Sequence, residues 1–127
     1  MVKRNMNQLH YHELEKPSRK IRISYEGHIL AETYEAIILK EVGHKIYDPT
    51  YYIPKDDLDM SHYRKNDLEY ECPIKGKASY WDYYSGSNLW VKNIAWSYEN
   101  PIEYSRPIEG CLAFDTRKVS FELFPYE

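Results

Sequence analysis

The sequence predicts an all-β domain with little helix, and three observations carry that prediction. Apolar and polar residues alternate in several short runs, the period of half-buried strands. Clusters of Gly, Pro, Asn and Ser separate those runs and favour turns. The chain also holds 14 Tyr, 3 Trp and 3 Phe, residue types enriched in strands. At 127 residues it fits one domain. A domain of that size buries roughly two-thirds of the surface its unfolded chain would expose, enough for a core without disulfides or a structural metal.

Residues 1–19 read as a polar N-terminal arm closed by Pro17-Ser18, and residues 20–127 as the domain. His10 and His12 flank Tyr11, a spacing that a strand turns to one side. Two histidines alone make a poor metal site. Ile21, Ile23 and Tyr25 alternate with Arg22 and Ser24, Glu26-Gly27 breaks the pattern, and residues 28–34 resume it. That is a hairpin, with Gly27 supplying the positive φ of a tight turn. Residues 36–42 fit a buried strand somewhat better than a short helix capped by Gly43.

Tyr51-Tyr52-Ile53-Pro54 is a short aromatic strand that Pro54 ends or confines to an edge. Residues 55–66 are strongly charged and read as a loop or one helical turn. Residues 68–72 alternate again until Pro73, and Cys72-Pro73-Ile74-Lys75-Gly76 reads as a turn. Two longer strands follow, 78–84 and 89–98, joined by Ser85-Gly86-Ser87-Asn88. Pairing Tyr84 with Leu89 sets Trp81 opposite Lys92 and gathers Trp81, Trp90 and Trp96 on one face. That face is either a packed sheet surface or an aromatic-walled pocket. Residues 111–114 and 119–124 close the domain as two strands. The total is about seven to nine short, mostly antiparallel strands, a barrel or a bent two-sheet structure.

The formal net charge is −3, without the basic excess of a nucleic-acid binder. Lys16, Arg19, Lys20 and Arg22 form a short cluster that reads as a solvated edge. No apolar run approaches the roughly 20 residues of a membrane span, and residues 1–20 have no apolar signal-peptide core. Cys72 and Cys111 are the only cysteines and read as free thiols in a reducing compartment. The expectation is a cytoplasmic protein with no nucleic-acid or membrane partner, no cofactor and no metal. Its partner would be an unidentified small molecule.

Three stretches resemble a known family, that of the domain of unknown function 427, sometimes labelled nucleotidyltransferase-like. They are the hairpin at Glu26-Gly27 with Ala31, then Tyr51-Tyr52-Ile53-Pro54 with Asp56 and Asp57. The third and most specific runs from Cys72-Pro73-Ile74-Lys75-Gly76 through Ala78, Tyr80 and Trp81. It continues to Asn93-Ile94-Ala95-Trp96-Ser97-Tyr98 and Pro101. The resemblance covers residues 20–124. It implies a β-tent, the fold of Mss4-like proteins, methionine sulfoxide reductase B and the ligand-binding domain of cereblon. Several β-tent proteins hold zinc with paired Cys-x-x-Cys motifs, and this chain has no such pair. Nothing here matches a glycine-rich phosphate loop. Asp57 and Asp59 have the spacing of two metal-binding carboxylates, set in a charged loop.

Cys72 and Lys75 form the sharpest constellation. A nearby ammonium lowers a thiol pKa, which makes Cys72 a candidate nucleophile with Lys75 as its activator. The plain alternative is an inert buried Cys at a strand end. Lys75 has a second reading, as the polar anchor of a pocket walled by Trp81, Trp96, Tyr98 and Tyr52. Asp57 joins that site only through the family resemblance. Binding is preferred to catalysis because rings outnumber plausible acids and bases. A small-molecule-binding domain, a thiol-dependent enzyme and a protein-interaction domain are the three functional readings.

Overall fold

The computed structural model of the chain describes residues 11–17 and 19–125. Ten strands run through them: β1 Tyr11–Glu15, β2 Ile21–Tyr25, β3 His28–Thr33, β4 Ile37–Val42, β5 Thr50–Ile53, β6 Tyr63–Cys72, β7 Gly76–Ser85, β8 Asn88–Tyr98, β9 Leu112–Phe114 and β10 Ser120–Leu123. The only helical pieces described are 3-10 turns at Lys55–Asp57, Met60–His62 and Glu103–Ile108. None is long and apolar enough to cross a membrane. The class is all-β, as the alternation predicts.

The strands form two antiparallel sheets, one of seven in the order β1-β4-β5-β9-β8-β7-β6 and one of three in the order β10-β2-β3. The small sheet covers one face of the large sheet. Ile21, Ile23, Leu30 and Ala31 from β2 and β3 share a core with Trp81, Ile94, Ala95, Leu112 and Phe114. The opposite face carries a second cluster, with Leu39, Tyr52, Cys72, Ala78, Tyr98, Cys111 and Ala113, over which Ile108 folds. Side chains alternate across each strand, so β5, β7, β8 and β9 each feed both clusters. On β5, Tyr52 enters the second and Ile53 the first.

The β2–β3 turn forms as expected. Glu26 and Gly27 both take positive φ, 48° and 81°, the pair of values a two-residue type I′ hairpin turn requires. Residues 36–42 are a strand rather than a helix. The N-terminal segment differs from expectation. Tyr11–Glu15, assigned to the polar arm, pair with β4 as an edge strand. His12 and Leu14 point inward, and His12 is fully buried with its Nε2 2.6 Å from the Ser105 hydroxyl. One apolar residue and one buried histidine, held through its Nε2, were enough to seat a strand that composition marked as solvated. Residues 1–10 of that arm, His10 among them, and residue 18 lie outside the described residues. β6, the other edge, carries Arg64, Lys65, Asp67, Glu69 and Glu71 outward and is irregular between Lys65 and Glu69.

The pairing of β7 with β8 departs from the expected register. Tyr84 does oppose Leu89, but irregularities follow at 81–84, and Trp81 opposes Ala95 rather than Lys92. That displacement is odd, and an odd shift exchanges the faces of every residue beyond it. Its cause is local. Asn93 adopts φ 55°, and the Asp82 carboxylate accepts hydrogen bonds from Asn93 N at 2.9 Å and Asn66 Nδ2 at 2.7 Å. A polar clasp holds extra residues of β8 out of the ladder, as β-bulges do. The three tryptophans therefore do not share a face.

Candidate functional site

Trp96 and Trp81 sit on opposite faces of the large sheet. Trp81 enters the core beneath the small sheet and is 9% exposed. Its indole N–H donates to the Ser97 hydroxyl at 2.9 Å. Lys55 and Lys65 lie 5.2 and 5.3 Å from its ring centre. Trp90 is 40% exposed at the hairpin end, edge-on to Tyr25 and His28. Trp96 belongs to the other face, opposite Ala113 on one side and Tyr80 on the other. There it lines two adjoining clefts of about 500 and 510 Å³.

The second cleft gathers Tyr52, Lys75, Trp96 and Tyr98, four of the residues singled out in the sequence, with Glu41 and Tyr80 added. Each is placed by an identifiable device. Lys75 sits in the β6–β7 turn, where its N–H donates to the Cys72 carbonyl at 3.3 Å and its own carbonyl accepts from Ile102 N at 2.9 Å. The turn is thus tied down on both sides, and the side chain runs inward. It is 5% exposed, and its Nζ donates to Glu41 Oε1 at 2.6 Å. The same ammonium stands 5.8 Å from the Tyr98 ring centre. Glu41 comes from β4, which brings its carboxylate to the same face as Leu39. A buried ion pair of this kind is held by geometry, since its desolvation nearly offsets its attraction.

Tyr52 and Tyr98 form the floor, both buried, with ring centres 6.5 Å apart. Burial pushes both phenols well above their ordinary value, and the Glu41 carboxylate adds to the effect. In Tyr52 the Trp96 indole, which hydrogen-bonds the hydroxyl, acts the other way. Both phenols therefore remain neutral donors at physiological pH. Tyr80 and Trp96 stand 6.2 Å apart, tilted by 41°, and wall both clefts.

The remaining site expectations are corrected here. Trp81 is no wall of the cleft, because the bulged register turns it to the other face. Asp57 is also elsewhere: its Oδ2 accepts from the Thr33 hydroxyl at 2.6 Å, pinning a 3-10 turn to β3. Asp59 does not join it at a metal. It caps the next turn by accepting from Ser61 N and Oγ, which holds its carboxyl below the usual range. Among the described residues, no three His, Cys, Asp or Glu side chains gather where they could hold a metal ion. Cys72 is 4% exposed, packed in the cluster behind the cleft rather than lining it. The Lys75 ammonium pairs with Glu41. His62, the histidine nearest Cys72 in sequence, stacks on Tyr83 at the far end of the β6–β7 hairpin.

Glu41, Tyr80 and Arg117 were missed in the sequence. Glu41 had a signal, as an acid at the end of an apolar strand. Arg117 had none, because a turn between two closing strands reads as solvated. Its Nε and Nη2 donate to the two Asp115 oxygens at 3.1 Å. Burial alone would raise the Asp115 carboxyl, but the hydrogen bonds from Arg117 outweigh it and hold it low.

Residues 13–124 match the model of a domain of unknown function (DUF427). The match begins inside β1, earlier than the resemblance in the sequence suggested. No curated protein matches the chain.

Proposed function

This chain belongs to the DUF427 family of domains of unknown function, and from that premise we propose that it is a small-molecule-binding domain whose site is the Trp96 cleft. One observation carries the reading: Tyr52, Lys75, Trp96 and Tyr98, remote in sequence, line one cleft of about 510 Å³. That volume suits a small ligand, and a few polar groups among rings are the usual makeup of such a site. Trp96 and Tyr80 offer faces for a planar group, while Lys75 and the two phenols offer donors. The finer fold name that goes with the reading is the β-tent, supported by two antiparallel sheets sharing one core. The cytoplasmic setting belongs to the same reading and rests on the two unbridged thiols.

The burial of Cys72 favours binding over thiol catalysis, because a nucleophile needs access as well as a low pKa. A thermal-shift screen of nucleosides, cyclic imides and amino-acid derivatives tests the proposal. A stabilising ligand whose shift disappears in Trp96→Ala supports it. A shift that survives in that variant moves the site elsewhere.

A further inference from the structure

We propose that the groove takes a planar ring bearing one oxyanion, a carboxylate or a phosphate, and rejects cations. This rests on the binding function proposed above and names its ligand class. The two clefts share Asp48, Thr50, Tyr80, Trp96, Thr116 and Arg117, so they form one continuous groove with the aromatic pair at its middle. Lys45, Lys75, Arg117 and Lys118 line it, against Glu41, Asp48 and Asp115. Four cations against three carboxylates leave one positive charge in excess, in a chain whose net charge is −3. A concave wall of low dielectric concentrates the field of such an excess and draws in the opposite charge.

The donors are also poised for oxygen. An ammonium has three N–H groups, and Glu41 is the hydrogen-bond partner that Lys75 Nζ finds at 2.6 Å. Arg117 donates to Asp115 from Nε and Nη2, while its side chain is 87% exposed and lines both clefts. A guanidinium carries five N–H groups in a planar fork that suits carboxylate and phosphate alike. The Thr50 and Thr116 hydroxyls border the same groove. A cationic ring on Trp96 would gain from the indole face but would meet the excess positive charge around it.

Calorimetric titration of the full chain with matched probes tests this. Nicotinate and phenyl phosphate should bind about tenfold or more tightly than nicotinamide, the gain of a charge-assisted contact. Inorganic phosphate, lacking the ring, should bind more weakly than phenyl phosphate. The stronger of the two ring anions identifies the oxyanion. Arg117→Ala should remove most of the anion preference and leave nicotinamide unchanged. Arg64→Ala, an exposed arginine stacked on Tyr84, should change nothing. Nicotinamide binding as tightly as nicotinate overturns the oxyanion inference and leaves the cleft as a neutral site. Inorganic phosphate matching phenyl phosphate overturns it as well, since the rings then contribute nothing. No binding by any probe, together with no hit in the thermal screen, brings down the binding function itself.

Discussion

The two faces of the seven-stranded sheet are built from neighbouring residues of the same strands, yet one is closed and the other open. Trp81 and Ala95 look toward the small sheet and disappear under β2 and β3. Tyr80 and Trp96, one residue along on each strand, look the other way and wall a groove. The chemistry is similar on both sides, with indoles, phenols and nearby lysines. What differs is the covering layer. A three-stranded sheet covers the middle of one face and leaves only its end, at Trp90, open, whereas the 3-10 turn at Glu103–Ile108 and the β6–β7 turn cover only part of the other. An aromatic residue becomes core or site according to what lies over it.

Substitutions on the two faces should separate stability from binding. Trp81→Ala removes a sealed indole and its bond to Ser97, so chemical denaturation should show a loss of about 4 kcal/mol and a ligand site intact in the folded fraction. Lys75→Met leaves the partly buried Glu41 carboxylate without its ammonium, a loss of about 3 kcal/mol. Adding Glu41→Leu should recover most of it, and failure to recover would mean that the pair does more than neutralise itself. Trp96→Ala, at the half-exposed wall, should cost about 1 kcal/mol while removing ligand binding. Equal losses in Trp81→Ala and Trp96→Ala would erase the distinction between the faces.

Two smaller effects sharpen the picture of the sealed side. Burial would raise the Glu99 carboxyl, but hydrogen bonds from Ser97 and Lys55 outweigh it and hold it below 4.5. A carboxyl depressed in the folded state takes up its proton later than in the unfolded chain. Its stabilisation is present above pH 4.5 and fades as the pH falls through the folded value. Glu99→Gln should therefore flatten the fall in thermal stability between about pH 5 and 3. Tyr63 is buried with its hydroxyl unsatisfied, and burial pushes its phenol up. Tyr63→Phe should be neutral or stabilise by up to about 1 kcal/mol. A clear loss of stability would reveal a partner for that hydroxyl.

Much of this architecture is legible in the residues themselves. The alternation of Ile21, Ile23 and Tyr25, the Gly27 turn and the Tyr84–Leu89 pairing all hold, because period and turn chemistry are local properties. The Trp81–Trp96 relation failed because it depends on a bulge. Asp82 and Asn93 were its signal, and they stand among other polar residues of the same strands, such as Ser79, Lys92 and Ser97, so they read as ordinary strand polarity. β1 was hidden for a different reason: an edge strand needs one inward face, and His12 looked solvated until Ser105 supplied its partner from 93 residues away. The groove was half legible. Its rings and Lys75 stood out by type, whereas Glu41 and Arg117 arrive through strand order and loop packing, which one sequence does not display.

The charged, kinked border strand β6 has a consequence for how the molecule behaves at high concentration. Its outward row of Arg64, Lys65, Asp67, Glu69 and Glu71 sets ions of both signs along the rim where another copy would dock by strand addition. The break between Lys65 and Glu69 interrupts the straight template that such addition needs. A protein holding one aromatic trough open to solvent already risks adhesion to its own kind, and this rim disfavours a second route, strand addition along β6.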